Sequence, residues 1–139
     1  MSIALQEATN AIQAYTYGMD SNQYELATRP FAPLIDADYS QVGALKGHLS
    51  KQELQSFLRN VLDNPALRVH TAISQVFENP DDPTEFIAYF SARHFRGAVG
   101  QAEAFSVYGW YSYRLEAGKI VALTVNVQAM EGNPEAVLA

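Results

Sequence analysis

The 139-residue sequence contains no cysteine, which excludes a disulfide framework, a zinc site with thiolate ligands and a cysteine nucleophile. Cationic side chains are scarce: 9 lysines and arginines stand against 15 aspartates and glutamates, for a net charge of −6. Nucleic acids and anionic membranes attract basic patches, so we expect neither as a partner. The lack of cysteine fits a reducing compartment, and we expect a cytoplasmic protein.

Long apolar runs are missing as well. No stretch approaches the roughly 18 residues of a membrane span, and the opening MSIALQEATNAIQAY lacks the basic region and the long apolar run of a signal peptide. With 48% hydrophobic residues, the chain is still long enough to bury one sizeable core. We predict one soluble domain over residues 1–134 and a frayed tail over residues 135–139.

The first third of the sequence has the periodicity of helices. Apolar residues recur at three- and four-residue steps over residues 3–18, and a second helix is predicted over about 22–31, stopped by Pro33. LIDADYS is typical of a short strand. In SKQELQSFLRNVL, Ser50 and Glu53 fit a capping box that opens an amphipathic helix.

From residue 67 onward the apolar pattern changes to period two. The segments LRVHTAISQVF, EFIAYFSARHF, FSVYGWYSYRL and IVALTVNVQAM predict long strands, separated by the turns ENPDDP, RGAVGQ and EAGK. Helices followed by consecutive strands are typical of the α+β class. We predict a cone-shaped fold, in which three N-terminal helices pack on the concave face of a strongly curved antiparallel sheet and leave a hollow end for a small molecule.

Five segments carry a family resemblance: AIQAYTYGMDSNQYELATRPFAPLIDADYS, NPALRVHT, SARHFRG, YGWYSYRLEAGKI and EGNP. In this order and spacing the chain resembles the SnoaL-like branch of the nuclear transport factor 2-like (cystatin-like) superfamily, nearest to scytalone dehydratase, the polyketide cyclases and ketosteroid-isomerase-like proteins. The resemblance covers roughly residues 8–134. It implies the cone fold but no single reaction, because this superfamily includes dehydratases, isomerases, epoxide hydrolases, cyclases and binders without activity.

The resemblance also implies site residues. In the dehydratase members an aspartate after the first helix pairs with histidines on the sheet, and a strand tyrosine helps to polarise a substrate oxygen. By position these roles fall on Asp20, His94 and Tyr39. A polar pair on the third long strand falls on Val107 and Gly109, so that pair is lost here, and a second tyrosine is replaced by Met19.

His70 stands one residue away from another catalytic position of the family. The triplet that ends in a catalytic histidine is Val69-His70-Thr71 here, so Thr71 takes that position. A one-residue offset in a strand turns a side chain to the opposite face, and we therefore expect His70 to point away from the pocket. A β-bulge, for which Gln75 leaves room, would reverse this orientation.

Each candidate also has an ordinary structural role open to it. Asp20 precedes the second predicted helix, where an N-cap is expected. His94 fits a hydrogen-bonded core histidine, and Tyr39 fits a buried aromatic. His48, in the polar segment LKGHLS, is expected in an exposed loop. Three scattered histidines without a metal-binding pattern argue against a metal site, and no cofactor is expected.

Two function classes lead, and a third is open. The first is a cofactor-independent acid/base enzyme, a lyase or isomerase acting on a small cyclic or polyketide-like molecule. The second is a binding protein without activity, and the third is an interaction module whose cavity is filled. The catalytic candidates are Asp20, His94 and Tyr39, and the binding candidates are Thr71, Val107, Gly109, Phe90 and Tyr15.

Geometry distinguishes these classes. The enzyme requires an open cavity with Asp20 and His94 in hydrogen-bond reach, the binder requires the cavity without that contact, and the module requires no cavity. A homodimer is also expected, because apolar residues fall on the outer face of the sheet. Those residues are Ile87, Tyr89, Phe95, Tyr108 and Trp110.

Overall fold

Residues 2–138 are described by a computed structural model, which contains four α-helices and one six-stranded sheet. The predicted α+β class, with helices before most of the strands, is confirmed. The helices are α1 (Ile3–Asp20), α2 (Tyr24–Thr28), α3 (Lys51–Leu62) and α4 (Pro134–Leu138). The strands are β1 (Phe31–Asp38), β2 (Lys46–Ser50), β3 (Leu67–Asn79), β4 (Asp82–Arg96), β5 (Glu103–Glu116) and β6 (Lys119–Gly132), with a 3₁₀ turn at Ser40–Val42.

The first two helices touch through a glycine. A Cβ atom added to Gly18 would lie 2.4 Å from the backbone nitrogen of Ala27, so the lack of a side chain lets α2 fold back against the end of α1. The predicted second helix was too long, because Phe31 opens β1 instead. Pro33 lies within β1, where the register with β6 is interrupted between Phe31 and Asp36, so its missing N–H leaves no ladder bond unmade.

Helix α3 begins as its sequence predicts. The Ser50 hydroxyl accepts from the Glu53 N–H, and the Glu53 carboxylate accepts from the Ser50 N–H, both at 3.1 Å. Leu54, Leu58 and Leu62 are buried one turn apart on the inner face. The segment before the helix, predicted as a loop, is strand β2 and pairs with β1 at the sheet edge.

The sheet has the strand order β2-β1-β6-β5-β4-β3. Four of the five pairings are antiparallel, as predicted, whereas β1 and β6 run parallel. These two strands are far apart in the chain, so no hairpin sets their relative direction. The sheet is curved and does not close on itself, and the helices lie against its concave face.

Bulges interrupt the register and help to bend the sheet. In β3 the pairing with β4 shifts between Ile73 and Gln75, beside the residue at which the sequence leaves room for a bulge. Beyond the shift Phe77 lies on the outer face, where its ring is 6.0 Å from that of Tyr89. His70 precedes the bulge, so its orientation is unaffected.

The C-terminal segment is ordered, and the predicted frayed tail is wrong for residues 135–138. Val137 of α4 is fully buried, and its carbonyl accepts a hydrogen bond of 2.8 Å from Nε of Arg96. Burial of one apolar side chain and a bond from a cation tie this short helix to β4. Ala139 lies outside the described residues. Within residues 2–138, every helix is too short or too polar to span a bilayer.

Candidate functional site

A cavity of about 340 Å³ lies between the helices and the concave face of the sheet, within the range of small-molecule sites. Its wall is mostly apolar, with a few polar groups from tyrosine, histidine and threonine. The polar contributors are Tyr15, Tyr39, Thr71, His94 and Tyr111. The apolar contributors include Met19, Val42, Ala44, Phe57, Leu58, Val61, Leu62, Val69, Phe90, Ala92, Phe105, Val107, Val125, Met130, Pro134 and Leu138.

Two tyrosine hydroxyls meet at the buried end of this cavity. The hydroxyl oxygens of Tyr15, from α1, and Tyr39, which follows β1, lie 2.6 Å apart. Each hydroxyl carries one hydrogen and their mutual bond uses only one, so the pair retains a hydrogen that can be donated elsewhere. Burial raises the pKa of both phenols, which keeps them neutral donors.

A third tyrosine, Tyr111 of β5, lines the same region. Its ring stacks on Phe90 at 4.4 Å between centroids and meets the edge of Tyr15 at 5.7 Å. Its hydroxyl has no hydrogen-bond partner within residues 2–138, and the oxygen atom is not completely buried. The hydroxyl is therefore open to a ligand in the cavity. Burial raises the pKa of Tyr111 as well, so it also acts as a neutral donor.

His94 stands on the cavity wall in β4, and its tautomer follows from its neighbour. Nδ1 lies 3.2 Å from the carbonyl oxygen of Phe105, and because a carbonyl can only accept, Nδ1 carries the hydrogen. Nε2 has no hydrogen-bond partner within the described residues. Burial lowers the pKa of the imidazole, and the Phe105 backbone, the Asp20 charge and the Ala92 backbone oppose this only in part. The ring is therefore neutral near pH 7, with the Nε2 lone pair available.

Asp20 is bound to a threonine instead of to this histidine. It is the last residue of α1, and its carboxylate accepts from the Thr71 N–H at 2.6 Å and from the Thr71 hydroxyl at 2.9 Å. Within residues 2–138 it forms no hydrogen bond or ion pair with His94. The N-cap interpretation is wrong, because Gln23 takes that position before α2.

The Asp20 carboxyl is half-buried, and burial raises its pKa. The two bonds from Thr71 act in the opposite direction, as do the charges of His70 and His94. The carboxylate thus ties the end of α1 to β3 beside the cavity. It borders a separate outer groove that it shares with His70.

His70 lies outside the cavity. It is exposed, whereas its neighbours Val69 and Thr71 line the cavity. His48 is exposed too and pairs with Asp36 across β1 and β2. Within residues 2–138 no group of three or more acidic, histidine or cysteine side chains could hold a metal ion.

Of the predicted binding residues, Tyr15, Thr71, Phe90 and Val107 line the cavity. Gly109 does not, and the reason is steric. A Cβ atom there would lie 1.8 Å from the Asn126 carbonyl oxygen. The backbone of β6 therefore occupies the space that a side chain at this position would need.

Sequence reasoning missed three parts of the wall. They are Tyr111, the cavity-facing side chains of α3, and the side chains Pro134 and Leu138 of α4. Tyr111 alternates with Val107 and Gly109 along β5, a signal that could have placed it on the inner face. The contribution of α4 has no such signal, because its five residues are too few for a periodicity.

The outer face of the sheet carries a strip of aromatic side chains. Tyr89 packs edge-on against Trp110, with 5.8 Å between ring centroids, and touches Phe77 on its other side. Tyr89 remains 36% exposed. Asn126 also lies on this face, where its side-chain amide donates to the Trp110 carbonyl and to the Ser112 hydroxyl.

Comparison with known proteins agrees with this architecture. The profile of a family described as the SnoaL-like domain matches residues 3–119. No curated protein matches the sequence.

Solved structures of several kinds share the fold. A candidate polyketide cyclase from Xanthomonas campestris has a TM-score of 0.69 at 18% identity, over 88% of this chain and 90% of its own. The Δ5-3-ketosteroid isomerase from Mycobacterium sp. has a TM-score of 0.69 at 18% identity, over 91% and 98%. A computationally designed binder of 17-OHP has a TM-score of 0.68 at 17% identity, over 91% and 98%. At these identities the likeness shows the fold alone.

Proposed function

We propose, from the premise that the chain belongs to the SnoaL-like domain family, that its cavity binds a small cyclic, largely apolar molecule and catalyses proton transfer on it without a cofactor. One observation carries the proposal. The open Nε2 of a neutral His94 shares a cavity wall with the hydroxyls of Tyr15, Tyr39 and Tyr111. A base and a set of neutral donors are the two parts that proton abstraction next to a carbonyl needs.

In this mechanism His94 Nε2 removes a proton from the carbon beside a carbonyl group. The electron pair of the broken C–H bond moves onto the carbonyl oxygen, where the spare hydrogen of the Tyr15–Tyr39 pair stabilises it. Return of the proton to another atom completes an isomerisation. Positioned acid/base groups of this kind typically contribute about 10²–10⁴-fold to the rate. Asp20 touches no reacting atom here, and its negative charge favours the imidazolium that forms.

The second candidate is a binding protein without activity. It is favoured by the bonding of Asp20 to Thr71 in place of His94, which leaves the predicted acid/base pair unmade. Val107 also stands where the dehydratase members have a polar residue. The designed binder of 17-OHP has the same fold, which supports a binding role for this architecture.

One experiment separates the two candidates. The bicyclic ketone 2-tetralone is incubated with the protein in D₂O, and loss of its α-proton NMR signals reports proton abstraction. Binding is followed separately by the fluorescence of 2-naphthol. We expect the wild-type protein to accelerate this exchange. The variant His94→Ala should lose the acceleration, and the control His48→Ala, which changes an exposed histidine, should keep it.

Each other outcome has a meaning. Binding of 2-naphthol without protein-dependent exchange would favour the binder. Exchange that survives His94→Ala would contradict the role of this base. Absence of both binding and exchange would contradict both candidates.

We further propose that the protein forms a homodimer through the outer face of the sheet. The strip of Phe77, Tyr89 and Trp110 places three partly exposed aromatic side chains next to one another, and large side chains of this kind anchor interfaces. A second copy of the same face would cover the strip with like side chains, as a two-fold interface requires.

A further inference from the structure

Four large apolar side chains surround the mouth of the cavity and face water. Val42 is 40% exposed, Val61 48%, Met130 46% and Leu138 43%, and all four also line the cavity. They come from the 3₁₀ turn, α3, β6 and α4. We call these four residues the rim. Because they come from four separate elements, the apolar character of the opening does not depend on any one of them.

The polar groups of the cavity lie deep inside it, whereas the groups next to water are apolar. The tyrosine hydroxyls lie at its closed end, on residues that are no more than 6% exposed. The mouth, next to water, is apolar, and none of the lining residues, all within 2–138, is an aspartate, glutamate, lysine or arginine. A ligand buried wholly inside would leave the rim exposed, whereas one that reaches the mouth would remove this apolar surface from water.

We infer that the ligand is amphipathic and longer than the cavity, with an oxygen-bearing end at the tyrosines and an apolar end that leaves through the mouth and covers the rim. This rests on the proposed function, since it takes the cavity as the ligand site. It narrows the ligand class to molecules whose far end is uncharged and apolar, such as an alkyl or aryl extension. A charged group lying over Val61 and Met130 would lose part of its hydration without gaining an oppositely charged side chain from the cavity lining.

The test is a series of 4-n-alkylphenols from methyl to heptyl, with affinities measured by competition against 2-naphthol. The phenol hydroxyl fits the tyrosine end, and each added methylene extends the molecule toward the mouth. Burial of one methylene corresponds to about a fourfold gain in affinity when complete. We expect about a two- to fourfold gain per methylene, followed by a plateau once the chain has passed the rim.

Variants identify the surface responsible. The double variant Val61→Ser/Met130→Ser should weaken binding of heptylphenol about tenfold and leave methylphenol within twofold. The matched control is Leu34→Ser, since Leu34 is 74% exposed but does not line the cavity, and it should change neither affinity. Tyr39→Phe should weaken every member of the series by a similar factor, because it acts on the shared hydroxyl end.

The failures are distinguishable. A flat series with intact binding of methylphenol overturns the extended ligand and leaves the proposed function standing. Loss of all phenol and naphthol binding in the wild-type protein removes the proposed function as well. A gain with chain length that the Val61→Ser/Met130→Ser variant retains would place the chain elsewhere and overturn the inference. A change of that variant from dimer to monomer in analytical ultracentrifugation would assign the rim to a second copy and overturn it too.

Discussion

His94 is half-buried in an apolar wall, and its protonation is coupled to folding. Because burial lowers its pKa, the native state binds fewer protons than the unfolded state between the lowered value and the usual one near ~6.5. The free energy of unfolding should therefore fall as the pH drops through that window. Urea unfolding at pH 7.5, 6.5 and 5.5 should show a steeper loss for the wild type than for His94→Gln, which does not titrate. Parallel losses would contradict the lowered pKa.

The bond between Thr71 and Asp20 gives a second prediction at this scale. Thr71→Val keeps the shape of the side chain and the backbone bond but removes the hydroxyl that donates to the carboxylate at 2.9 Å. A hydrogen bond to a charged group is worth about 1.5–3 kcal/mol, and the site is only half-buried, so we expect a loss of about 1–2 kcal/mol. Chemical denaturation measures it, and Thr71→Ser is the control that should retain most of the stability.

Sequence reasoning reached the neighbourhood of these residues but not their bonds. Position in a resembling family assigned Asp20 and His94 to one site, and the alternation of β3 placed His70 outside. Whether the Asp20 carboxylate meets an imidazole or a hydroxyl depends on shifts of an ångström or two between α1 and β3. No residue pattern encodes a distance of that size.

Among the elements, α3 was predictable because its signals are local. The capping box and the one-turn spacing of buried leucines lie within thirteen residues. By contrast, β2 and α4 contain five residues each, too few for a period, and exist because of their tertiary contacts. The bulge in β3 was open to prediction from Gln75, yet its effect on Phe77 needed the observed register.

The capping box should be measurable on its own. Ser50→Ala removes the side-chain acceptor for the Glu53 N–H and should cost about 1 kcal/mol of unfolding free energy. Ser56→Ala is the matched control, since it makes the same change at an exposed position inside the helix and should change stability by less than about 0.5 kcal/mol. Since α3 also lines the cavity, affinity for 2-naphthol should be measured alongside. Equal effects of the two variants would contradict the cap.

For the whole molecule, the prediction concerns the proposed homodimer through the outer face of the sheet. If two copies pair through the aromatic strip, Tyr89→Ser/Trp110→Ser should shift the protein from dimer to monomer in analytical ultracentrifugation. Leu34→Ser removes an apolar side chain on β1 that is more exposed than Tyr89 and lies away from the strip, and it should leave the dimer unchanged. A wild-type monomer at micromolar concentration would contradict the homodimer, and circular dichroism should show that the variants remain folded.

The parallel pairing of β1 with β6 also has a consequence for the order of assembly. Residues 31–38 can find this neighbour only after residues 119–132 have been made, so nearly the whole chain must leave the ribosome before the sheet is complete. The hairpins β3–β4 and β4–β5 need no such delay, because their partners follow directly in sequence. During synthesis the N-terminal helices are therefore made well before the sheet is complete. The cavity forms only after β6 has paired with both β1 and β5.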